Sequence, residues 1–148
     1  MNNEKSLLKL TTVLFRAMQN VDKVIKKDIL SYKLNTSEFG TLELLYNRGV
    51  QPMQSIASRL LMANSSMTYV IDRLEEKQMI RRFQDENDKR MMMVDLTPKG
   101  RAFFDQIFPK HVETLRIMYQ DLSDEELLIL IELLKKVGYK ANEIKEHM

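Results

Sequence analysis

Residues 65–100 read SSMTYVIDRLEEKQMIRRFQDENDKRMMMVDLTPKG, and a change of hydrophobic period inside this stretch decides the fold. Its first part predicts a helix from Ser65 to about Gln78. The apolar stripe of that helix is Met67, Val70, Ile71 and Leu74. The segments IRRFQ (80–84) and MMMVDL (91–96) have the length and alternation of strands, and DENDKR (85–90) between them is a polar tip. The sequence therefore predicts a helix followed directly by a charged two-stranded β-hairpin.

A second short helix is predicted just before this stretch. Pro52 suits the first turn of a helix over 52–61, and a three-residue break from Met62 to Asn64 separates it from the next helix. Two short helices joined by such a tight turn form a helix-turn-helix. With the hairpin behind it, the arrangement is that of a winged helix, whose second helix can enter the major groove of DNA.

The flanking segments are also helical by pattern. Residues 5–31 predict a long helix whose stripe is Leu7, Leu14, Met18, Val21 and Ile25, with Thr11 on the same face. Asn35 or Thr36 can cap a second helix that runs to about Asn47 and is closed by Gly49. The predicted fold is thus mainly α.

A further helix begins after the hairpin, with Thr97 as its N-cap and Pro98 at its first position. Its apolar stripe comprises Phe104, Phe108, His111, Leu115 and Met118, and Pro109 is expected to bend it. The last helix starts at SDEE (123–126), where Ser123 and Glu126 have the spacing of a capping box. It continues as LLILIELLKKV, which is apolar nearly all round and must be buried on more than one side. We therefore expect a partner subunit that packs on the first and last helices.

Composition limits the class of protein. The 148 residues suffice for one domain, and the formal net charge is only +2. There is no cysteine, which removes disulfides, thiolate metal sites and thiol redox sensing. The sequence lacks an apolar run long enough to cross a bilayer, and MNNEKSLLKL lacks the features of a signal peptide, so a cytoplasmic protein is expected.

The stretch 65–100 resembles the core signature of the MarR family of bacterial transcriptional regulators. The matching features are Asp-Arg-Leu-Glu (72–75), the wing's Asp88-x-Arg90 and Val-x-Leu-Thr-x-x-Gly (94–100). Gln78 departs from the family, because many members have a glycine there. The resemblance implies a dimeric winged helix-turn-helix regulator, more often a repressor than an activator, that binds a pseudo-palindromic operator. It also implies one domain over 1–148, with a helical dimerisation region (1–34 and 101–148) and a DNA-binding lobe (35–100).

The residue types on this framework suggest DNA contacts. Hydroxyls on the outward or N-terminal part of the recognition helix can bond phosphates or base edges, and Arg73 can bind phosphate. The hydroxyl-bearing residues are Ser65, Ser66, Thr68 and Tyr69. Arg90 at the wing tip is the expected minor-groove probe, oriented by a salt bridge from Asp88. Lys89, Arg81 and Arg82 could add backbone contacts, and Arg82 could equally serve as a structural ion-pair partner.

An effector site is a separate hypothesis. The family commonly releases DNA when a small molecule enters a cleft beside the dimer helices. Three polar residues, Thr11, Glu43 and His111, interrupt apolar stripes on the helices that line that cleft in the family. Phe15 and Phe39, with Tyr46 or Phe108, could stack on an aromatic ligand. The run 37–75 resembles the branch of the family that responds to quinones and hydroquinones, and without cysteine such sensing would be non-covalent.

The sequence leaves other functions open. The main alternative is a DNA-binding regulator without an effector, in which Thr11, Glu43 and His111 simply pack or face solvent. A winged-helix module for protein interaction is a second. No cofactor is expected, and the run Met91-Met92-Met93 suggests strand packing and not a metal site. An enzyme is the weakest interpretation, because the sequence offers no nucleophile, metal cluster or phosphate-binding loop.

Overall fold

The computed structural model describes residues 3–60, 62 and 64–148. Within them, six helices and three short strands follow one another along the chain. They are α1 (Glu4–Ser31), α2 (Thr36–Arg48), β1 (Gln51–Pro52), α3 (Met53–Arg59), α4 (Asn64–Glu76), β2 (Ile80–Gln84), β3 (Met92–Leu96), α5 (Pro98–Met118) and α6 (Asp124–Lys145). The mainly helical winged fold is as predicted. The chain divides into two compact units, Met1–Val112 and Glu113–Met148, and the predicted partition into dimerisation and DNA-binding regions stays a prediction.

Local capping explains where the helices begin. Asn35, one of the two predicted caps, accepts a hydrogen bond from the Glu38 amide at 2.8 Å, and the Glu38 carboxylate accepts one from the Asn35 amide at 3.0 Å. Ser123 and Glu126 form the same reciprocal box at the start of α6, as their spacing predicted. Each box satisfies amide groups that have no partner inside the helix.

The wing contains one strand more than predicted. The sheet order is β1-β3-β2, with Gln51 opposite Val94 and Arg82 opposite Val94 on the other side. Pro52 was expected inside a helix, but it lies in β1 and caps α3 instead. Only two residues pair here, too few for a periodic signal in the sequence, yet they cover part of an edge of β3 that would otherwise stay open.

The helix-turn-helix has the predicted order with shorter helices. α3 ends at Arg59. The helix predicted over 52–61 ends at a residue outside the described part of the chain, and the predicted break at 62–64 lies partly outside it. α4 ends before Gln78, whose φ of 64° is left-handed. A left-handed residue after a helix is usually glycine, so Gln78 stands where a glycine would be unstrained.

The hydrophobic core belongs to the first unit, where α2, α4, the hairpin and α5 meet. All four residues of the predicted α4 stripe are buried, and so are Val94 and Leu96 of β3. Aromatic rings continue the core between α2 and α5, where Phe39 and Phe104 lie 5.5 Å apart and Tyr46 and Phe104 lie 4.8 Å apart. This packing holds the recognition helix and the wing on one support.

Two helices leave apolar residues uncovered. α1 buries only Ile29, and Leu7 and Met18 of its predicted inward stripe are 55% and 59% exposed. α6 buries none of its residues. Its apolar side chains border an open cavity of about 590 Å³, lined by Tyr119, Asp124, Leu127, Leu128, Leu130, Ile131 and Leu134. Across the described part of the chain, no helix combines the length and apolar character needed to span a membrane.

Candidate nucleic-acid interface

The outward face of α4 presents the predicted polar residues. Ser65, Ser66 and Thr68 are exposed in its first two turns, and Tyr69 is 61% exposed. These side chains reach solvent because the buried stripe occupies the opposite face of the helix, and the Thr68 hydroxyl also lies 4.0 Å from the Met53 sulfur. Hydroxyl groups at such positions can donate to phosphate oxygens and to base acceptors.

Arg73 lies one turn beyond Tyr69 on the same face and donates a hydrogen bond to its hydroxyl at 3.3 Å. Its guanidinium also lies 5.8 Å from the centre of the Tyr69 ring and 3.8 Å from a carboxylate oxygen of Glu38. The hydrogen bond to Tyr69 and the charge interactions with Tyr69 and Glu38 raise the pKa of Arg73, whose side chain is a cation in any case. Arg73, the residue predicted to bind phosphate, is therefore already oriented in the protein without DNA.

The wing tip is an ordered turn. The Asp85 carboxylate accepts hydrogen bonds from the amides of Asn87 at 3.2 Å and Asp88 at 3.0 Å. Asp88 in turn accepts from the Arg90 amide at 3.1 Å and from Arg90 Nε at 3.2 Å, which is the predicted salt bridge. The Arg90 side chain remains 92% exposed, and Lys89 beside it is exposed too. A backbone-anchored carboxylate thus holds a projecting arginine.

The wing and the recognition helix are tied together by Arg82. From β2 its guanidinium pairs with the carboxylates of Asp72 and Glu75 on α4, the latter at 3.2 Å. The Arg82 side chain is only 28% exposed, which favours the structural role that the sequence left open. Arg81 points elsewhere, 3.8 Å from Asp95 and 4.8 Å from the centre of the Phe83 ring.

Two of the predicted effector residues come together in the first unit. His111 is buried, and its ring centre lies 4.7 Å from that of Phe39. His111 Nδ1 lies 2.7 Å from one carboxylate oxygen of Asp28, and the Tyr32 hydroxyl donates to the other at 2.7 Å. Burial, assisted by this bond, raises the pKa of the Tyr32 hydroxyl. The carboxylate partner of His111 is Asp28, which the sequence reasoning missed.

The other three effector residues lie apart from this pair. Thr11 is exposed and donates to the Leu7 carbonyl of its own helix at 2.9 Å, and Phe15 is 62% exposed. Glu43 borders a shallow depression of about 260 Å³ between α2 and α3, which includes none of the other four residues. Among the described residues, the cavity that Glu43 borders is thus separate from the Phe39–His111 contact.

Several functional residues were not predicted, although some had a signal. Asp85 opens a polar loop, where an Asp side chain typically bonds amides two or three residues ahead. Glu38 has capping-box spacing from the predicted cap Asn35, but its contact with α4 depends on tertiary packing. Asp28 continues the apolar stripe of the predicted first helix, three residues after Ile25 and seven after Val21, so a polar residue on that face was a signal. Nothing nearby in the sequence indicates its partner, which is 83 positions away.

Comparison with known proteins gives a consistent result. Residues 34–92 match the MarR family. The HTH-type transcriptional regulator MhqR of Bacillus subtilis is 41% identical over 140 residues, covering 95% of this chain and 96% of that protein. A mutant of Escherichia coli MarR complexed with operator DNA superposes with a TM-score of 0.75 at 22% identity, covering 93% of this chain and 99% of that one.

A second solved structure shares the fold. This structure is of Bordetella bronchiseptica BpsR, and it concerns the regulation of BpsR DNA binding by 6-hydroxynicotinic acid. It superposes with a TM-score of 0.74 at 24% identity, covering 88% of this chain and 98% of that one. The relatives are regulators and not enzymes, as the sequence indicated. The chain belongs to the MarR family and is a DNA-binding transcriptional regulator of the winged-helix class.

Proposed function

We propose that this chain is a homodimeric repressor that reads a pseudo-palindromic operator with α4 and the wing. The observation that carries the proposal is the wing tip, where Arg90 projects 92% exposed while Asp88 holds its guanidinium. A projecting arginine suits the minor groove, where the negative potential is concentrated. Asp88 positions that side chain, and Lys89 adds a backbone contact.

α4 supplies the second part of the interface. In a winged helix the recognition helix lies in the major groove, with its N-terminal residues nearest the base edges. This assigns base or phosphate contacts to the hydroxyls of Ser65, Ser66, Thr68 and Tyr69. Arg73, farther along the helix and already ordered by Tyr69, is assigned to phosphate.

The dimer follows from surfaces that the chain leaves uncovered. α1 and α6 each expose many large apolar side chains, including Leu8 at 65% and Leu128 at 66%. Exposed apolar patches of this kind mark interaction surfaces in soluble proteins. A second copy would cover them and would place two recognition helices about 34–36 Å apart, one turn of DNA.

For regulation, we propose a small aromatic ligand of the quinone or hydroquinone class, bound without covalent chemistry. The likeness to MhqR supports this ligand class, and the absence of cysteine supports a non-covalent mode of binding. The residues proposed to bind this ligand are Thr11, Phe15, Phe39, Glu43 and His111. Of these, Phe39 and His111 are adjacent. Because Thr11 and Phe15 are exposed on α1, the full site would need the dimer.

A regulator without an effector is the second candidate, and one observation favours it. The polar atoms near His111 are already paired, since Asp28 bonds both His111 and Tyr32. A core histidine with a satisfied partner requires no ligand. Under this candidate the amount of protein, or a protein partner, would control the operator.

The first test is a fluorescence-anisotropy titration against DNA from upstream of the protein's own gene, near physiological salt and with excess competitor DNA. We expect tight, competitor-resistant binding that Arg90→Ala weakens by about tenfold or more. Arg116→Ala is the matched control, because Arg116 is also exposed and paired with a nearby carboxylate, on α5. Binding no tighter than to random DNA, with an empty genome-wide DNA selection, would refute the proposal.

The same assay separates the two regulatory candidates. Under the effector hypothesis, adding a hydroquinone releases the operator, and Glu43→Ala or His111→Ala weakens that response while operator affinity is kept. His111→Ala also removes a partner of the buried Asp28, so its fold is checked by circular dichroism. An unchanged ligand response in both variants, with operator affinity kept, would contradict the effector site.

A further inference from the structure

We infer that Glu38 is a positioning residue for DNA recognition: from the first turn of α2, its buried carboxylate holds the Arg73–Tyr69 pair on the exposed face of α4. This inference rests on the proposed function and adds to it a residue that lies outside the DNA-binding surface. Glu38 is 3% exposed, so it would act through other side chains and not by touching DNA.

The orientation of the Glu38 carboxylate is determined by its contacts. One oxygen accepts the Asn35 amide hydrogen bond of the capping box at 3.0 Å. The other accepts from Lys77 Nζ at 2.9 Å and lies 3.8 Å from Arg73 Nε. A buried carboxylate requires such partners, because an unpaired buried charge is strongly unfavourable. Its negative charge therefore has a fixed place beside the last turns of α4.

Arg73 links this buried charge to the exposed surface. It is 45% exposed, contacts Glu38 through Nε and donates to the Tyr69 hydroxyl through one terminal nitrogen. A guanidinium has five N–H donors in a rigid plane, so two fixed contacts orient the whole group and leave donors for a phosphate. Pre-ordering of this kind lowers the entropy lost on binding.

The sign of the expected effect distinguishes positioning from plain electrostatics. A negative charge near a DNA-binding face repels phosphate, so removing it should tighten binding if charge alone mattered. If Glu38 positions Arg73, removing the charge should weaken binding. A purely structural role would lower stability without making the effect depend on Arg73.

The test uses Glu38→Gln in the full-length protein, titrated against the operator by anisotropy at several salt concentrations. Glutamine also serves at this position of a capping box, so the helix start is kept while the ion pair is lost. Glu126→Gln is the matched control, because Glu126 occupies the same position of the capping box of α6. Glu38→Asp is the second variant, which keeps the charge but shortens its reach towards Arg73.

We expect Glu38→Gln and Glu38→Asp to weaken operator binding about three- to tenfold, and Glu126→Gln to leave it unchanged. The slope of log K against log salt should fall by about one, as for loss of one phosphate contact. In an Arg73→Ala background, Glu38→Gln should have no further effect on operator affinity.

Unchanged or tighter binding by Glu38→Gln would overturn the inference, as would an equal loss in the Arg73→Ala background. These results leave the proposed function intact as long as the wild-type protein binds its operator specifically. Absence of specific binding by the wild-type protein would instead overturn the proposed function, and the inference with it.

Discussion

Gly100 allows a test of the close contact between α5 and Met79, the residue that precedes β2 of the wing. It lies in the first turn of α5, where its amide donates to the Thr97 hydroxyl at 3.0 Å. A Cβ atom added there would lie 1.9 Å from the Met79 carbonyl oxygen and 2.8 Å from its carbonyl carbon. Both are backbone atoms, so the clash cannot be relieved by rotating a side chain. We predict that Gly100→Ala is strongly destabilising.

The magnitude follows from the contacts at this joint. Real Cβ contacts essentially never fall below 3.0 Å, so α5 and Met79 must separate by roughly 1.1 Å. That shift stretches the hydrogen bonds from the Thr97 amide to Met79, now 3.0 Å, and from its hydroxyl to Gln78, now 2.6 Å. Overpacking costs about 1–3 kcal/mol and each weakened bond about 0.5–1.5, whereas alanine returns about 1 through helix propensity. The expected net loss is about 1–5 kcal/mol, with a central value of about 3 kcal/mol.

Urea denaturation followed by circular dichroism measures this loss, at one fixed protein concentration because a dimer's stability depends on it. Gly40→Ala is the control, since Gly40 is also helical and its nearest neighbour is a flexible end of Leu60 at 3.0 Å. We expect Gly40→Ala to change stability by less than about 1 kcal/mol. If Gly100→Ala cost no more than Gly40→Ala, the close approach of α5 to Met79 would be wrong.

Three further predictions concern stability. Gln78→Gly should raise the urea midpoint by the equivalent of about 0.5–1 kcal/mol, because glycine adopts a φ of 64° without strain; a lower midpoint would argue against that backbone conformation. Arg82→Met should cost about 1 kcal/mol and speed hydrogen exchange in β2, since it frees the wing from Asp72; unchanged exchange would mean that the pair does not hold the wing. The Ser123 amide and hydroxyl lower the pKa of Glu126, so this carboxylate stabilises the fold above its ordinary value of 4.5 and loses that effect as pH falls through the lowered pKa. Stability measured from pH 6 to 3 should accordingly fall less in Glu126→Gln than in the wild type, and parallel curves would exclude the linkage.

Much of the fold could be predicted because its signals are local. The α4 stripe, the Ser123–Glu126 capping box, the hairpin strands and the Thr97–Pro98 start of α5 each depend on residues within a few positions of one another. The period of hydrophobic residues and the chemistry of helix ends are properties of such short segments. The Asp88–Arg90 salt bridge belongs to the same class, because a two-residue spacing in a tight turn brings the groups together.

The features that could not be predicted join distant segments or have too short a pattern. β1 comprises two residues and has no period of its own. The Asp28–His111 contact spans 83 positions and the Lys77–Glu38 contact spans 39, and no spacing rule relates such pairs. Only tertiary packing decides which charged group fills a given buried place.

The sequence by itself thus determined the winged helix, its recognition helix and its projecting arginine, since local periodicity and turn chemistry specify all three. The tertiary structure decided which polar groups support them. In that structure Arg82 pairs with Asp72 between the wing and α4, Asp28 pairs with His111, and Glu38 pairs with the Arg73 guanidinium. Buried charges find their partners across the core, and that choice depends on how helices pack and not on the residues next to them in the chain.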